Sequence, residues 1–279
     1  MPINQVQKFL SEPKLLKIKW MLSSNSILIY QMGKVGSTTV FLSLKKHLSL
    51  TPVFHLHFLS DRSLKEQEEY YRSVGKDPQK IRHLRHSNLL KNKLDRSAKR
   101  QCKIITLVRD PIAREISMFF QKKDKNFPDG IDTETIIEIL QNQFKSFDES
   151  KDFACNWFDK EIKANFNIDV YNFEFDKQKG YQIIRTENNA EVLIIRLENL
   201  NQCFQTALSD FLASDRPIEM ISENTSKEKD YKQQYREVIN KIKIPENICR
   251  TIYSSRHMKH FYSDDKIEQF ILKWTKKSQ

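Results

Sequence analysis

Cysteine is scarce in this sequence, and long apolar runs are absent. The 4 cysteines among 279 residues form no C-x-x-C pair and show no metal-ligand spacing, which excludes a zinc ribbon and a thioredoxin-type redox motif. We expect buried free thiols in a reducing compartment. Residues 1–24, an N-terminal extension in our interpretation, lack an apolar run long enough for a signal peptide or a membrane anchor. The sequence therefore predicts a cytoplasmic protein without a membrane span.

Charge of one sign is not concentrated in any block. The net charge of +11 comes from 47 Lys and Arg set among 36 Asp and Glu along the whole chain. This pattern favours a local anionic ligand over a nucleic-acid partner. With 39% hydrophobic and 11% aromatic residues, the chain is too apolar for a disordered protein and long enough for one sizeable core. We predict a single domain over residues 1–279.

Short apolar runs alternate with segments of helical period. This alternation predicts a three-layer α/β/α fold with a mostly parallel central sheet. Residues 61–100 are strongly charged and predict a solvated helical insertion, and the C-terminal segments predict helices. The tract "DKQKGYQ" at 176–182 predicts an exposed hairpin or loop. The apolar runs are 27–30, 53–59, 104–108 and 192–197.

Two of the 5 glycines lie three positions apart in "QMGKVGSTTV", residues 31–40. The apolar positions after Ser37 are spaced as one helix face, so this stretch predicts a turn from a strand into a helix that Ser37 or Thr38 caps. Such a turn presents backbone N–H groups and the positive end of the helix dipole to an anion, and Lys34 adds a positive charge. The nucleotide pattern G-x-x-x-x-G-K-[ST] is not met, and an ordinary turn with a solvent-exposed Lys34 is the alternative.

A second buried strand runs into a turn and a helix in "ITLVRDPIAREISMFF", residues 105–120. Arg109 ends the strand, and Ser117 follows within the helix. Ligands of open parallel sheets bind beyond the carboxyl ends of the strands, so we expect Arg109 and the Lys34 turn to face one crevice. The Arg109 guanidinium and the Ser117 hydroxyl suit a terminal phosphate. The alternative is an ion pair between Arg109 and Asp110 that organises the turn.

Together the two segments resemble the sulfotransferases that use 3′-phosphoadenosine 5′-phosphosulfate (PAPS). In that family a K-x-G-[ST]-[ST] turn holds the 5′-phosphosulfate, and a later strand ending in R-D-P, followed by a Ser, holds the 3′-phosphate. The resemblance implies a P-loop NTPase-like sulfotransferase fold, PAPS as co-substrate, no metal, and a catalytic Lys34 that stabilises the leaving phosphate. It assigns donor binding to Lys34, Val35, Gly36, Ser37, Thr38, Thr39, Arg109 and Ser117.

A looser resemblance begins at residues 155–181. The segment "CNWFDKEIKANFNIDVYNFEFDKQKGY", with "VLIIRLENL" and "FYSDDKI" later in the chain, is similar to a bacterial family of capsular polysaccharide synthesis proteins named for an N-K-W-Y-S motif. Asn156 and Trp157 match that motif. This resemblance implies a carbohydrate acceptor in the assembly of capsule or surface polysaccharide.

Transfer of a sulfuryl group to a hydroxyl needs a general base for the acceptor proton. In "VFHLHF", residues 53–58, strand alternation puts His55 and His57 on one face, and the H-x-H pattern resembles the segment that carries the catalytic His of uronosyl 2-O-sulfotransferases. We prefer His57, which lies closer to the carboxyl end of the strand, with His55 as its partner or substitute. The alternative is a structural pair of histidines, and no third ligand nearby supports a metal site.

Other aromatic and basic residues are open to two interpretations. Trp157 and Phe158 line an acceptor pocket or anchor a helix to the core. Arg256, His257 and Lys259 close over the nucleotide or end a solvated helix.

Two other functions stay open at this level. A P-loop kinase or NTPase needs a Walker-type Lys-Ser/Thr end and acidic residues that hold magnesium. A basic module without catalysis would bind anionic polysaccharide or nucleic acid, which accounts for the net charge but not for the two strand-end motifs.

Overall fold

A computed structural model of the chain describes residues 25–48, 50–94, 101–127, 129–187, 190–214, 216–221 and 231–276. The N-terminal extension, residues 1–24, lies outside these ranges. Within them, no helix has the length and apolarity that crossing a membrane requires.

The described strands form one sheet in the order β2-β1-β3-β5-β4. Neighbouring strands are parallel except β4, which runs antiparallel to β5. The α/β class with a mostly parallel sheet is therefore confirmed. The strands are β1 Asn25–Tyr30, β2 Val53–Leu56, β3 Gln101–Val108, β4 Tyr181–Arg185 and β5 Ala190–Arg196.

Helices connect the strands and make up the C-terminal part, as predicted. A π-helical turn, Phe158–Lys163, joins two short helices, α6 and α7. The helices are α1 Ser37–His47, α2 Asp61–Ser73, α3 Arg82–Leu94, α4 Pro111–Asn126, α5 Thr133–Lys145, α6 Phe153–Trp157, α7 Ala164–Phe166, α8 Leu200–Leu212, α9 Lys232–Lys241, α10 Glu246–Tyr253, α11 Arg256–Phe261 and α12 Asp264–Thr275.

The core lies around the central strands. Side chains such as Leu28 in β1, Ile105 in β3 and Leu193 in β5 have no solvent exposure. Such strands are continuous apolar runs because helices or loops cover both faces of a parallel sheet. For this reason the apolar runs at 27–30, 104–108 and 192–197 correctly predicted strands.

Two sequence predictions about this region were wrong in part. The run at 53–59 is a strand only to Leu56, because the backbone beyond it bonds side chains instead of β1. The tract at 176–182 is a turn only as far as Gly180, and β4 begins at Tyr181. Tyr181 pairs with Ile195 of β5, so the hairpin is formed by β4 and β5.

Within the described residues 61–94, the predicted insertion is mostly helical, but one face of α3 is buried. Residues 95–100 of the insertion lie outside the described ranges. Leu84, Ser87 and Leu90 of α3 have no solvent exposure. The imidazole of His86 accepts a hydrogen bond from the backbone N–H of His55, at 3.1 Å, in β2. Because β2 is the last strand of the sheet on this side, α3 covers an edge that would otherwise expose backbone groups.

All four cysteines are buried and unpaired, as predicted. Burial raises the pKa of the Cys249 thiol to about 12 and also raises those of Cys155 and Cys203. Thiols with raised pKa values in apolar surroundings are poor nucleophiles, so we give these cysteines no chemical role.

Candidate active site

The turn after β1 has backbone angles that favour glycine. Lys34 has φ of 69° and Gly36 has φ of 82°, both in the left-handed region. Helix α1 begins directly after Gly36, and no side chain caps it. The predicted cap by Ser37 or Thr38 is therefore wrong, because the Ser37 hydroxyl points into the protein and bonds His55. The first N–H groups of α1 thus have no side-chain acceptor at the positive end of the helix dipole.

Arg109 and the Lys34 turn meet, as expected. The Arg109 guanidinium donates a hydrogen bond from Nη1 to the carbonyl oxygen of Lys34, at 3.0 Å. Both side chains are half-buried. Strand β2 lies on one side of β1, and β3, the next strand along the chain, lies on the other side. The strand order therefore reverses between β1 and β3, and the turns after these two strands flank that point. That point is where open α/β sheets bind ligands.

Asp110 does not pair with Arg109. Its carboxylate accepts a hydrogen bond from the N–H of Ile112 at 3.0 Å and so caps α4. It also accepts from the hydroxyl of Tyr253 at 2.8 Å and from the indole N–H of Trp274 at 2.9 Å. Asp110 therefore ties the C-terminal helices α10 and α12 to the turn after β3, and the guanidinium of Arg109 bonds the Lys34 carbonyl instead.

The remaining residues assigned to donor binding lie in this turn, at the start of α1 and, for Ser117, in α4. Val35 is buried, and Thr38 is exposed on the first turn of α1. Thr39 and Ser117 are half-buried. The exposed hydroxyl of Thr38 and the backbone of this segment are thus open to a ligand, whereas the hydroxyl of Ser37 is occupied.

His55 is a buried, neutral imidazole whose nitrogen atoms are both engaged. Nε2 lies 2.9 Å from the Ser37 hydroxyl, and Nδ1 lies 3.4 Å from Nη2 of Arg82. A guanidinium only donates, so Nδ1 accepts and Nε2 carries the hydrogen that is donated to Ser37. Burial, followed by electrostatic interaction with neighbouring His57 and Arg82, lowers the pKa of His55 to about 2. His55 thus has no free nitrogen with which to take a proton.

His57 is different, because one of its nitrogen atoms is fixed and the other is not. The ring centroids of His55 and His57 are 5.5 Å apart, which confirms that both lie on one face. Nδ1 of His57 lies 2.9 Å from the backbone carbonyl oxygen of Gln31, which accepts, and 2.9 Å from the side-chain nitrogen of Gln31, which donates. In the tautomer that bonds the carbonyl oxygen, Nδ1 carries the hydrogen and Nε2 has the free lone pair. The ring is half-buried, and burial lowers the pKa of His57 below its ordinary 6.5, although the bond to Gln31 opposes this. His57 is therefore a neutral imidazole that can accept a proton at Nε2.

Sequence reasoning missed the polar residues that surround the two histidines. The side-chain amide of Gln31 lies 2.8 Å from the hydroxyl of Ser37 and 2.9 Å from Nδ1 of His57. Arg82 and His83 approach from α3, and the rings of His83 and His57 are 5.0 Å apart. The spacing of "RHLRHS", which puts His83, His86 and Ser87 on one helix face, was the signal that could have found them.

Arg114 is a second residue that the sequence reasoning did not single out. It lies in the first turn of α4, with 4% of its surface exposed. Nη1 pairs with Glu115, and Nε has no hydrogen-bond partner. Its charge contributes to the lowered pKa values of both His57 and His257. A buried guanidinium thus adds to the positive potential on the same side of the sheet.

The aromatic pair and the C-terminal basic residues have more local roles. Trp157 and Phe158 are buried and anchor α6 to the core, although the indole N–H of Trp157 also bonds the backbone of His57.

Arg256 lies 3.8 Å from the ring centroid of Tyr171 and pairs with Asp159. His257 is buried against Phe158 and Phe261, so it is a core residue and not part of a solvated helix end. Lys259 is exposed and lines a groove of about 800 Å³ beside Lys177 and Gln178.

Several histidines lie close together here, but they do not form a recognisable metal site. Among the described residues, no group of three or more His, Cys, Asp or Glu side chains could hold a metal ion.

One comparison with known proteins found a match. The model of a family described as "Putative capsular polysaccharide synthesis protein", and named NKWYS, matches residues 129–263. The matched stretch contains Trp157, the π-helical turn and β5, and it begins after Lys34, His57 and Arg109 in the chain. Searches of curated proteins and of solved structures found no match.

Proposed function

We propose that this protein transfers a sulfuryl group from PAPS to a hydroxyl group of a carbohydrate acceptor. The proposal includes the three-layer P-loop NTPase-like sulfotransferase fold and a cytoplasmic location, which suits the buried free thiols. The observation that carries it is a set of contacts at the point where the strand order reverses: the Lys34 carbonyl bonds Arg109, and Gln31, which precedes this turn, bonds His57. We refer to this place as the crevice.

The charges and donors of this crevice suit a phosphosulfate and a second phosphate. The first turn of α1 offers N–H groups that no side chain caps, and Lys34 lies in the turn before it. Arg109 is held in place by one of its donor groups, the bond to the Lys34 carbonyl, which leaves the rest of the fork for a phosphate. In the proposed complex, residues 34–39 hold the 5′-phosphosulfate, and Arg109 with Ser117 holds the 3′-phosphate.

The proposed reaction is an in-line displacement at sulfur. His57 accepts the proton of the acceptor hydroxyl at Nε2 while the hydroxyl oxygen forms a bond to sulfur. The bond between sulfur and the 5′-phosphate oxygen breaks, and 3′-phosphoadenosine 5′-phosphate (PAP) leaves with the electron pair. Lys34 and the N–H groups of α1 stabilise the negative charge that develops on this phosphate. The products are a sulfate ester, PAP and a proton.

The carbohydrate acceptor is the part of the proposal that the family match supports. The name of the matched family refers to capsular polysaccharide synthesis. Polysaccharides offer many hydroxyl groups, and sulfation of such a hydroxyl is a reaction that a base such as His57 would assist.

Calorimetric titration with PAP tests the donor. We expect binding of PAP that does not depend on magnesium and is stronger than that of AMP, ATP or GTP, because AMP, ATP and GTP have no 3′-phosphate. Arg109→Ala should weaken PAP binding at least tenfold, or about 1.4 kcal/mol. Arg236→Ala is the matched control, because Arg236 is an exposed arginine of α9.

The outcome also separates the rival functions. A preference for ATP with magnesium would identify a kinase or NTPase instead. Binding of anionic polysaccharide that weakens steeply with salt, with no nucleotide bound, would identify the basic module and overturn the proposal. With PAP binding in hand, transfer of radiolabelled sulfate from PAPS to neutral and uronate-containing polysaccharides then identifies the acceptor class.

A further inference from the structure

The backbone that follows β2 is held by side chains and not by the sheet. The last pairing of β2 with β1 joins Leu56 to Tyr30. Beyond it, the carbonyl oxygen of His57 accepts a hydrogen bond from the indole Nε1 of Trp157 at 3.1 Å. The carbonyl oxygen of Phe58 accepts from the hydroxyl of Ser87 at 2.6 Å. Residues 57–60 therefore depend on other elements for their conformation, and we refer to them as the His57 segment.

Glu161 holds the other end of the His57 segment. Its Oε2 accepts hydrogen bonds from the N–H groups of Leu59 at 2.9 Å and Ser60 at 3.1 Å. The hydroxyl of Ser60 lies 3.0 Å from Oε1, and the hydroxyl of Tyr30 donates to Oε2 as well. Both oxygen atoms of a carboxylate without any solvent exposure are thus used as acceptors. Hydrogen bonds to an ionised group are roughly twice as strong as neutral ones, so this anchor is firm.

Trp157 and Glu161 belong to the same short element. Trp157 ends α6, and Glu161 lies in the π-helical turn that follows. Residues four positions apart lie near each other on a helix, which brings both side chains to the His57 segment. π-helical turns occur often at functional sites. Both residues also lie in the stretch that the family model matches.

We propose that Trp157 and Glu161 are positioning residues that fix the orientation of the His57 imidazole toward the crevice. This inference rests on the proposed function, in which His57 is the base. The ring is fixed on one side by Gln31, and its own carbonyl is fixed by Trp157, so Nε2 is left on the unbonded side. A base must lie within hydrogen-bond reach of the proton it takes, and a displacement of about 1 Å can cost roughly 100-fold in rate.

Trp157→Phe is the first test, because it keeps a buried aromatic ring and removes the N–H that bonds His57, together with part of the indole volume. We expect kcat to fall roughly 10- to 100-fold, with the Kd of PAP unchanged within about twofold. Glu161→Gln should act in the same direction, since an amide offers only one acceptor oxygen to the backbone groups it must satisfy. Ser87→Ala removes the bond to Phe58 and should give a smaller loss of kcat if Glu161→Gln does not fold.

The tautomer of His57, measured by ¹⁵N NMR of the imidazole nitrogens, is a readout that does not depend on activity. In the wild type we expect hydrogen on Nδ1 and a lone pair on Nε2, and in Trp157→Phe a mixture of the two tautomers. Trp274→Phe is the matched control, since it removes another buried indole hydrogen bond, to Asp110, and should leave the His57 signals unchanged.

These measurements separate a positioning role of Trp157 from a purely structural one. If Trp157→Phe and Ser87→Ala both fold and leave the His57 tautomer and kcat as in the wild type, Trp157 is only a core residue and the inference is wrong. If the wild type does not bind PAP, the proposed function fails, and the NMR comparison still shows whether Trp157 orients His57.

Discussion

Two histidines that are two positions apart in the chain have opposite chemical properties in the structure. His55 uses Nδ1 as an acceptor from Arg82 and Nε2 as a donor to Ser37, so no lone pair remains. His57 uses only Nδ1, which contacts the backbone carbonyl oxygen and the side-chain amide of Gln31. The difference comes from the neighbours of each ring, since the two rings lie side by side, with their centroids 5.5 Å apart. This is the physical basis for preferring His57 as the base.

Replacing each histidine separately should separate a base from a structural residue. For His57→Ala we expect kcat to fall at least 100-fold with PAP affinity retained, because proton transfer is lost and the donor site is not. For His55→Ala we expect weaker PAP binding and lower stability, because Ser37 and the start of α1 lose a buried partner. Steady-state kinetics and calorimetry check both. Equal loss of kcat and PAP affinity in His57→Ala would show that His57 is structural.

At the level of elements, the turn after β3 is a junction of three helices. Asp110 caps α4 and accepts hydrogen bonds from Tyr253 of α10 and Trp274 of α12. Since Arg109 is the preceding residue, the C-terminal helices stabilise the turn from which its guanidinium reaches the Lys34 loop. The C-terminal region, far away in the sequence, thus supports the proposed donor site.

Asp110→Asn tests this junction. One side-chain oxygen becomes an NH₂ group, so a buried donor such as the Trp274 indole loses its acceptor, at a cost of about 1–3 kcal/mol in unfolding free energy. Trp274→Phe alone should cost less, and the double variant should cost less than the sum, because the two side chains share one hydrogen bond. Urea unfolding of the four proteins measures the coupling. Additive costs would show that the bond contributes nothing.

The elements also show what sequence patterns contain and what they omit. Apolar runs predicted the central strands, because buried strands consist of consecutive apolar residues. A turn with two glycines predicted the start of α1, because the backbone angles of the turn favour glycine. The end of β2 was missed, because it depends on Glu161, about a hundred residues later. The cap of α1 was wrong, because Ser37 has a stronger partner in His55. The contact between the Lys34 turn and Arg109 could thus be predicted from the sequence, but the second layer around His57 could not.

For the whole molecule, buried neutral histidines are a common feature of the regions described. Burial, with nearby positive charge, lowers the pKa values of His55 to about 2 and of His83 and His257 to about 3. The pKa values of His57 and His260 are lowered as well. In the unfolded chain these groups titrate near 6.5, so below that pH the unfolded state binds more protons than the folded state.

Stability should therefore fall as the pH is lowered from about 6.5, well before carboxylates titrate. Each fully buried histidine contributes up to about 1.4 kcal/mol per pH unit between its unfolded and folded pKa values. His257→Phe should reduce the dependence of the unfolding free energy on pH by about 1.4 kcal/mol per pH unit, the contribution of one proton. The phenyl ring preserves the packing against Phe158, and the change also removes a buried nitrogen, Nδ1, that has no hydrogen-bond partner. Urea unfolding at intervals between about pH 7 and pH 5 measures both slopes. A wild-type stability that does not change over this range, or a His257→Phe slope equal to that of the wild type, would mean that these imidazoles take up protons without unfolding.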